Sequence, residues 1–247
     1  MYATLFRIQY WEIGSRFFKL ITYLAITGWT LSFLMLDPSQ AHHWIQWSLL
    51  LLLIILGLGH VLCIKRAHHD RRAVVYWIGW TVFIWTILAL AVWPPAEQFV
   101  RYYTGPELRF FHLLLSAGIL GSIINAMICG HWYLVNKYLS LEPIRSISQT
   151  LTGVLLTKIV LVSISLGWIY VSHPFQFRTL TAYFPLLFWT RLIAGLAFGL
   201  LLNWMSWKCL DYENTQASTG ILYAAITFII MGEFSGFYLT VHSGIAL

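Results

Sequence analysis

The feature that most constrains this chain is a succession of apolar stretches, each long enough to cross a bilayer and each closed by a breaker or a cluster of charges. About twenty mostly apolar helical residues cover the roughly 30 Å hydrocarbon core, and seven segments meet that length: residues 17–36, 44–64, 73–93, 111–135, 150–171, 185–207 and 218–241. Asp37-Pro38-Ser39 closes the first, Lys65-Arg66 the second and Pro94-Pro95 the third. With 59% hydrophobic and only 10% charged residues, the 247-residue chain has no loop that can hold a soluble domain, so function must reside within the bundle or with a partner. The expectation is an all-α integral membrane protein, a single domain of seven transmembrane helices. Residues 1–16 form an interfacial lead-in in which Arg7, Glu12 and Arg16 alternate with apolar and aromatic residues.

The net charge of +6 does not point to nucleic acid, because the basic residues are explained by their position relative to the spans. Arg7, Arg16, Lys19, Lys65, Arg66, Arg71, Arg72, Lys137, Arg145 and Lys208 fall on one side, and Arg101, Arg109 and Arg178 on the other. The positive-inside rule then gives a cytoplasmic N-terminus and an external C-terminus, with loops at 65–72, 136–149 and 208–217 on the cytoplasmic side and an external loop over 94–109. The location expected is a bacterial-type cytoplasmic (inner) membrane, with lipid as the first partner. Cys63, Cys129 and Cys209 lie toward the reducing side and read as small apolar residues, with no metal-site spacing.

Charged and titratable residues inside the spans are the candidates for function. Arg191 in span six and Glu233 in span seven sit at matching depth in the outer half. An unpaired ion there costs on the order of 3 kcal/mol, so an ion pair is expected, serving either to pin two helices or to bind a ligand and handle protons. Arg191, Gly195, Gly199 and Asn203 recur every four residues, and Gly232-xxx-Gly236 flanks Glu233, which predicts a closely packed six–seven hairpin. Gly118, Ser122, Asn125 and Cys129 form a similar interior stripe on span four. Lys158 in span five reads as a side chain whose stem snorkels to the cytoplasmic interface, with a proton or ion pathway as the alternative. His60 and His131, near the cytoplasmic ends of spans two and four, have the depth and type of paired axial ligands for a b-type haem, although His131 lies off the small-residue stripe; a hydrogen bond to a neighbour or a headgroup is the competing reading.

Gly232-Glu233-Phe234, Gly236-Phe237-Tyr238, His242 and Gly244, with Trp189-x-Arg191 on the preceding helix, resemble the C-terminal part of the polytopic membrane-anchor subunits of dimethyl sulfoxide reductase and nitrite-reductase-type respiratory oxidoreductases. The resemblance covers the last quarter of the chain. It implies a subunit that exchanges electrons with quinone near the outer face and passes them to an iron–sulfur partner, generally without haem of its own. In this chain Arg191, Glu233 and His112 are the residues that can meet a quinone's carbonyls and protons. Two other classes compete with a quinone-interacting redox subunit. One is a small transporter or channel, and the other is a structural or assembly subunit with no site of its own.

Overall fold

A computed structural model of the chain describes residues 103–135 and 140–247, together with Leu20, Tyr23 and Thr27. The spans expected at 17–36, 44–64 and 73–93, the lead-in, His60 and Cys63 lie outside the described residues, those three positions in the first span excepted. The rest is helical: α1 (Pro106–Val135), α2 (Glu142–Ser172), a short α3 (Pro174–Tyr183), α4 (Pro185–Asp211) and α5 (Thr215–Ser243). Of these, α1, α2, α4 and α5 are long and apolar enough to cross a membrane, which makes this an all-helical, multi-pass membrane protein. At 27–31 residues each, they run to roughly 40–47 Å, so their ends extend past the hydrocarbon core.

Each helix starts where local chemistry permits. Proline stands in the first turn of α2, α3 and α4, where its missing N–H costs nothing, and Glu107 and Glu142 place negative charge in the first turns of α1 and α2. Asn214 caps α5 by accepting from the Ala217 N–H at 2.9 Å, and Gly244 ends it in the left-handed region at φ 71°. The helices extend beyond the expected spans: that of span five begins at Glu142, ahead of residue 150, and that of span four at Pro106, ahead of residue 111. Of the loops expected over 94–109 and 136–149, residues 106–109 and 142–149 are helical, and the loop expected over 208–217 is Tyr212–Asn214. Hydropathy alone misses first turns such as Ile144-Arg145-Ser146, which are helical but polar.

The four long helices close into a ring in which α1 packs on α2, α2 on α4, α4 on α5, and α5 back on α1. At one end, here the upper end, the Tyr103 N–H donates to the Gly244 carbonyl at 2.9 Å, and the Tyr103 ring lies 5.2 Å from His173 at the end of α2. At the lower end Arg145 Nη2 donates to the Leu210 carbonyl at 2.9 Å, closing the last turn of α4, and a Cβ added to Gly130 would lie 2.8 Å from Thr219 Oγ1. Neighbouring helices are therefore antiparallel. Between the ends, Ile119, Ile123, Leu151, Leu155, Leu222 and Ile229 fill the interior. Trp168, Val171, Leu186, Phe198, Trp204, Phe234 and Phe237 point outward, an apolar exterior suited to lipid. The α1 stripe turns inward as expected, with Ser122, Asn125 and Cys129 fully buried; Cys129 and Cys209 are free thiols.

The sixth span is not a uniform α-helix. Thr190–Phe198 forms a π-helical segment of nine residues between Pro185–Trp189 and Gly199–Asp211. Positions four apart drift by about 40° on a regular α-helix, and the wider i→i+5 turn counters that drift. Arg191, Gly195, Gly199 and Asn203 are consequently all buried along one side of α4.

Candidate functional site

Two polar groups occupy the upper half of the ring. The first joins α4 to α5. Arg191 Nη1 donates to Glu233 Oε1 at 2.6 Å, and Nη2 to the main-chain oxygen of Leu247 at 3.3 Å. Arg191 is 0% exposed and Glu233 8%. The pair fits because the helices nearly touch beside it. A Cβ on Gly195 would lie 2.6 Å from Gly232 Cα, and a Cβ on Gly236 would lie 2.8 Å from Arg191 Nε, so the arginine stem lies across bare α5 backbone. The four-residue spacing of small residues read in the sequence is thus the floor on which the ion pair rests.

The second group joins α1 to α2 and was only partly legible. Lys158, 0% exposed, donates through Nζ to the His112 carbonyl at 2.8 Å and to Ser116 Oγ at 3.1 Å, and meets His112 Nδ1 at 3.1 Å. With Lys158 as an ammonium, which has three donors and no acceptor, His112 Nδ1 accepts and the ring proton sits on Nε2. That nitrogen faces Ser165 Oγ at 2.8 Å, and the Ser165 hydroxyl donates in turn to the Leu161 carbonyl at 3.0 Å. His112 is 3% exposed.

This corrects the reading of Lys158 as a snorkelling side chain. Because α2 begins at Glu142, Lys158 stands at the middle of the helix and not near its lower end. Its stem would have to run past two turns of buried side chains to reach the interface, whereas His112 and Ser116 offer acceptors beside it. His112, grouped in the sequence with Arg191 and Glu233, hydrogen-bonds to Lys158 and Ser165.

His131 lies at the lower end of α1, exposed, with its Nδ1 3.3 Å from the Tyr223 hydroxyl of α5. It is on the outside of the ring, away from the buried stripe of its own helix. Sequence reasoning missed the hydroxyl partners: Ser116 is one helical turn from His112, and Ser165 two turns from Lys158, a spacing that marks them as neighbours on one face. It also missed the neutral cluster of the lower half, where Asn203 Nδ2 donates to Thr152 Oγ1 at 2.8 Å and to the Ser148 carbonyl at 2.9 Å, and Ser148 Oγ donates to Asn203 Oδ1 at 2.9 Å.

Chemically, the upper half offers donors in Arg191 and Lys158, an anionic acceptor in Glu233, and in His112 a group that accepts on one nitrogen while donating from the other. Set against known proteins, the chain matches no family profile, no curated protein and no solved structure.

Proposed function

We propose that the chain is a quinone-interacting membrane subunit of a respiratory or electron-transfer oxidoreductase, with seven spans in a bacterial-type cytoplasmic membrane, the N-terminus inside and the upper half of the ring toward the outer face. One observation carries this reading: two buried groups with ionisable side chains, Arg191 with Glu233 and Lys158 with His112, both lie in the upper half, whereas the buried polar links described in the lower half are amides and hydroxyls. Ionisable groups at such depth are costly, and they mark substrate or proton pathways more often than scaffolding. The C-terminal resemblance to anchor subunits, which falls on Arg191 and Glu233, supports the same reading.

A bound quinone supplies two-electron, two-proton redox chemistry. This chain's residues would hold and neutralise it: Arg191 orients oxygen through an N–H donor, Glu233 balances the arginine, and His112, held in place by Lys158, accepts or returns a proton. The apolar exterior leaves the site approachable from lipid, where quinones dissolve. Electrons would pass to an iron–sulfur partner chain.

Quenching of tryptophan fluorescence by a short-chain quinone, in protein purified in mild detergent, tests this reading. Saturable quenching is expected in the unmodified protein and should be lost in Arg191→Lys, which keeps the charge but not the forked donor. Linear, non-saturable quenching in the unmodified protein contradicts it. A small transporter is the second reading, favoured by the π-helical break in α4 at Arg191, since transporters bind substrates at interrupted helices. Uptake of a charged solute into liposomes without any redox partner would favour it.

A further inference from the structure

We propose that residues 245–247 form a strap that closes over Arg191 and opens about Gly244, and that the closed strap occupies the guanidinium donor which a bound ligand's oxygen takes; it rests on the quinone reading only for what that ligand is. The strap turns back where α5 ends. Gly244 stands in the left-handed region at φ 71°, which glycine adopts without strain, and the residues after it pack into the upper end of the ring. Ile245, Ala246 and Leu247 are 0%, 1% and 4% exposed. At its far end the main-chain oxygen of Leu247 accepts from Arg191 Nη2, next to the Nη1 that holds Glu233.

The pivot is tied firmly and the strap is tied loosely. The Gly244 N–H donates to the Thr240 carbonyl at 3.1 Å, and the Gly244 carbonyl accepts from the Tyr103 N–H at 2.9 Å, so α5 is closed and anchored before the strap begins. Beyond that point two hydrogen bonds join the strap to the ring, from the Ala246 N–H to Thr104 Oγ1 and from Arg191 to Leu247, each 3.3 Å long and past the usual N–H···O range. The side chains of Ile245 and Leu247 hold it little more. Lipid tails are as apolar as the interior of the bundle, so these two lose little by moving from one to the other.

The closed strap is also an incomplete partner for Arg191. It gives the guanidinium one neutral oxygen, while Nε, buried, has no hydrogen-bond partner among the described residues. Opening by itself strips Nη2 of its acceptor, and a buried donor left bare is costly, so the strap rests closed. An incoming ligand oxygen that takes Nη2 removes that cost. Strap and ligand therefore compete for one donor, and the apparent affinity is the intrinsic affinity multiplied by the fraction of strap that is open.

The test uses the intact protein in mild detergent and leaves Arg191 and Glu233 untouched. Without quinone, hydrogen exchange of the Ala246 amide, followed by magnetic resonance, should outrun that of Leu239 inside α5 by at least about tenfold. Saturating short-chain quinone should speed the Ala246 exchange further, whereas a ligand that binds beneath a fixed cap would slow it. Thr104→Val keeps the shape and removes the acceptor of Ala246, so it should tighten quinone binding about fivefold, the worth of one hydrogen bond, and Thr104→Ser should bind as the unmodified protein does. Ala246 exchange as slow as that of Leu239, or slowed by quinone, overturns the strap, and so does quinone affinity unchanged or weakened in Thr104→Val. Absence of saturable binding in all three proteins contradicts the quinone reading instead, and the exchange rates without quinone then decide the strap.

Discussion

The same four helices are joined by different chemistry in their two halves. Among the described residues, the buried side-chain links of the lower half are amides and hydroxyls, Asn203 with Ser148 and Thr152 between α2 and α4 and Ser206 with Ser218 at 2.7 Å between α4 and α5, while Arg145 reaches the Leu210 carbonyl and His131 meets Tyr223 at the part-exposed rim. In the upper half α4 and α5 are bridged by Arg191 and Glu233, and α1 and α2 by Lys158 and His112. Amides and hydroxyls thus serve as the buried polar links of the lower half. Charge buried in the upper half is an added expense, and the proposed function gives it a use.

The comparison breaks most readily at the ion pair. Arg191→Leu strands Glu233 in the bundle and should destabilise the protein by about 3–5 kcal/mol, whereas Arg191→Leu with Glu233→Leu should recover most of that loss. Denaturant titration in mild detergent measures both. A double variant no more stable than the single one would mean that the charges are not coupled. Next in size is the floor beneath the pair. Gly232→Ala drives a methyl into the Gly195 backbone and should cost about 1–3 kcal/mol, while Gly153→Ala, whose Cβ meets nothing within 4 Å, should cost nothing. Thermal melting of the two variants side by side reads the difference.

The neutral half should respond more mildly. Asn203→Ala removes three hydrogen bonds, and at about 0.6 kcal/mol each in a membrane the loss should be about 1–2 kcal/mol, with quinone binding intact. A loss as large as that of Arg191→Leu would erase the distinction between the halves. The smallest effect belongs to His131→Ala, which gives up one exposed hydrogen bond and should change stability by about half a kcal/mol or less.

How much of this was legible depended on whether periodicity carried it. The spacing of Arg191, Gly195, Gly199 and Asn203 disclosed the α4–α5 contact, but it implied no π-helical segment, since which turn type keeps such a stripe straight depends on packing against Gly232 and Gly236. Lys158 was readable and was misread. Ser148, Leu151, Leu155, Lys158, Val162, Ser165 and Ile169 alternate at three and four residues, and all are buried, so the lysine belongs to the interior face of α2 and not to its rim. Which helix would supply its acceptors was not in that pattern. His112 and Ser116 lie on α1, and pairing across helices is a tertiary fact. The helix starts at Pro106 and Glu142 were written in proline and acidic residues, and hydropathy passed over them because first turns at a membrane surface are polar.

The measurement closest to the central claim is short-chain quinone binding in two variants that differ only in which half they touch. Glu233→Gln keeps the shape of the upper cluster and removes its one carboxylate, and Asn203→Ala opens the neutral cluster below. The account predicts saturable binding in the unmodified protein and in Asn203→Ala, with affinity for Glu233→Gln at least about tenfold weaker, the loss of one charge-assisted contact. Equal affinity in all three, or binding lost in Asn203→Ala and kept in Glu233→Gln, would contradict the assignment of the site to the charged half.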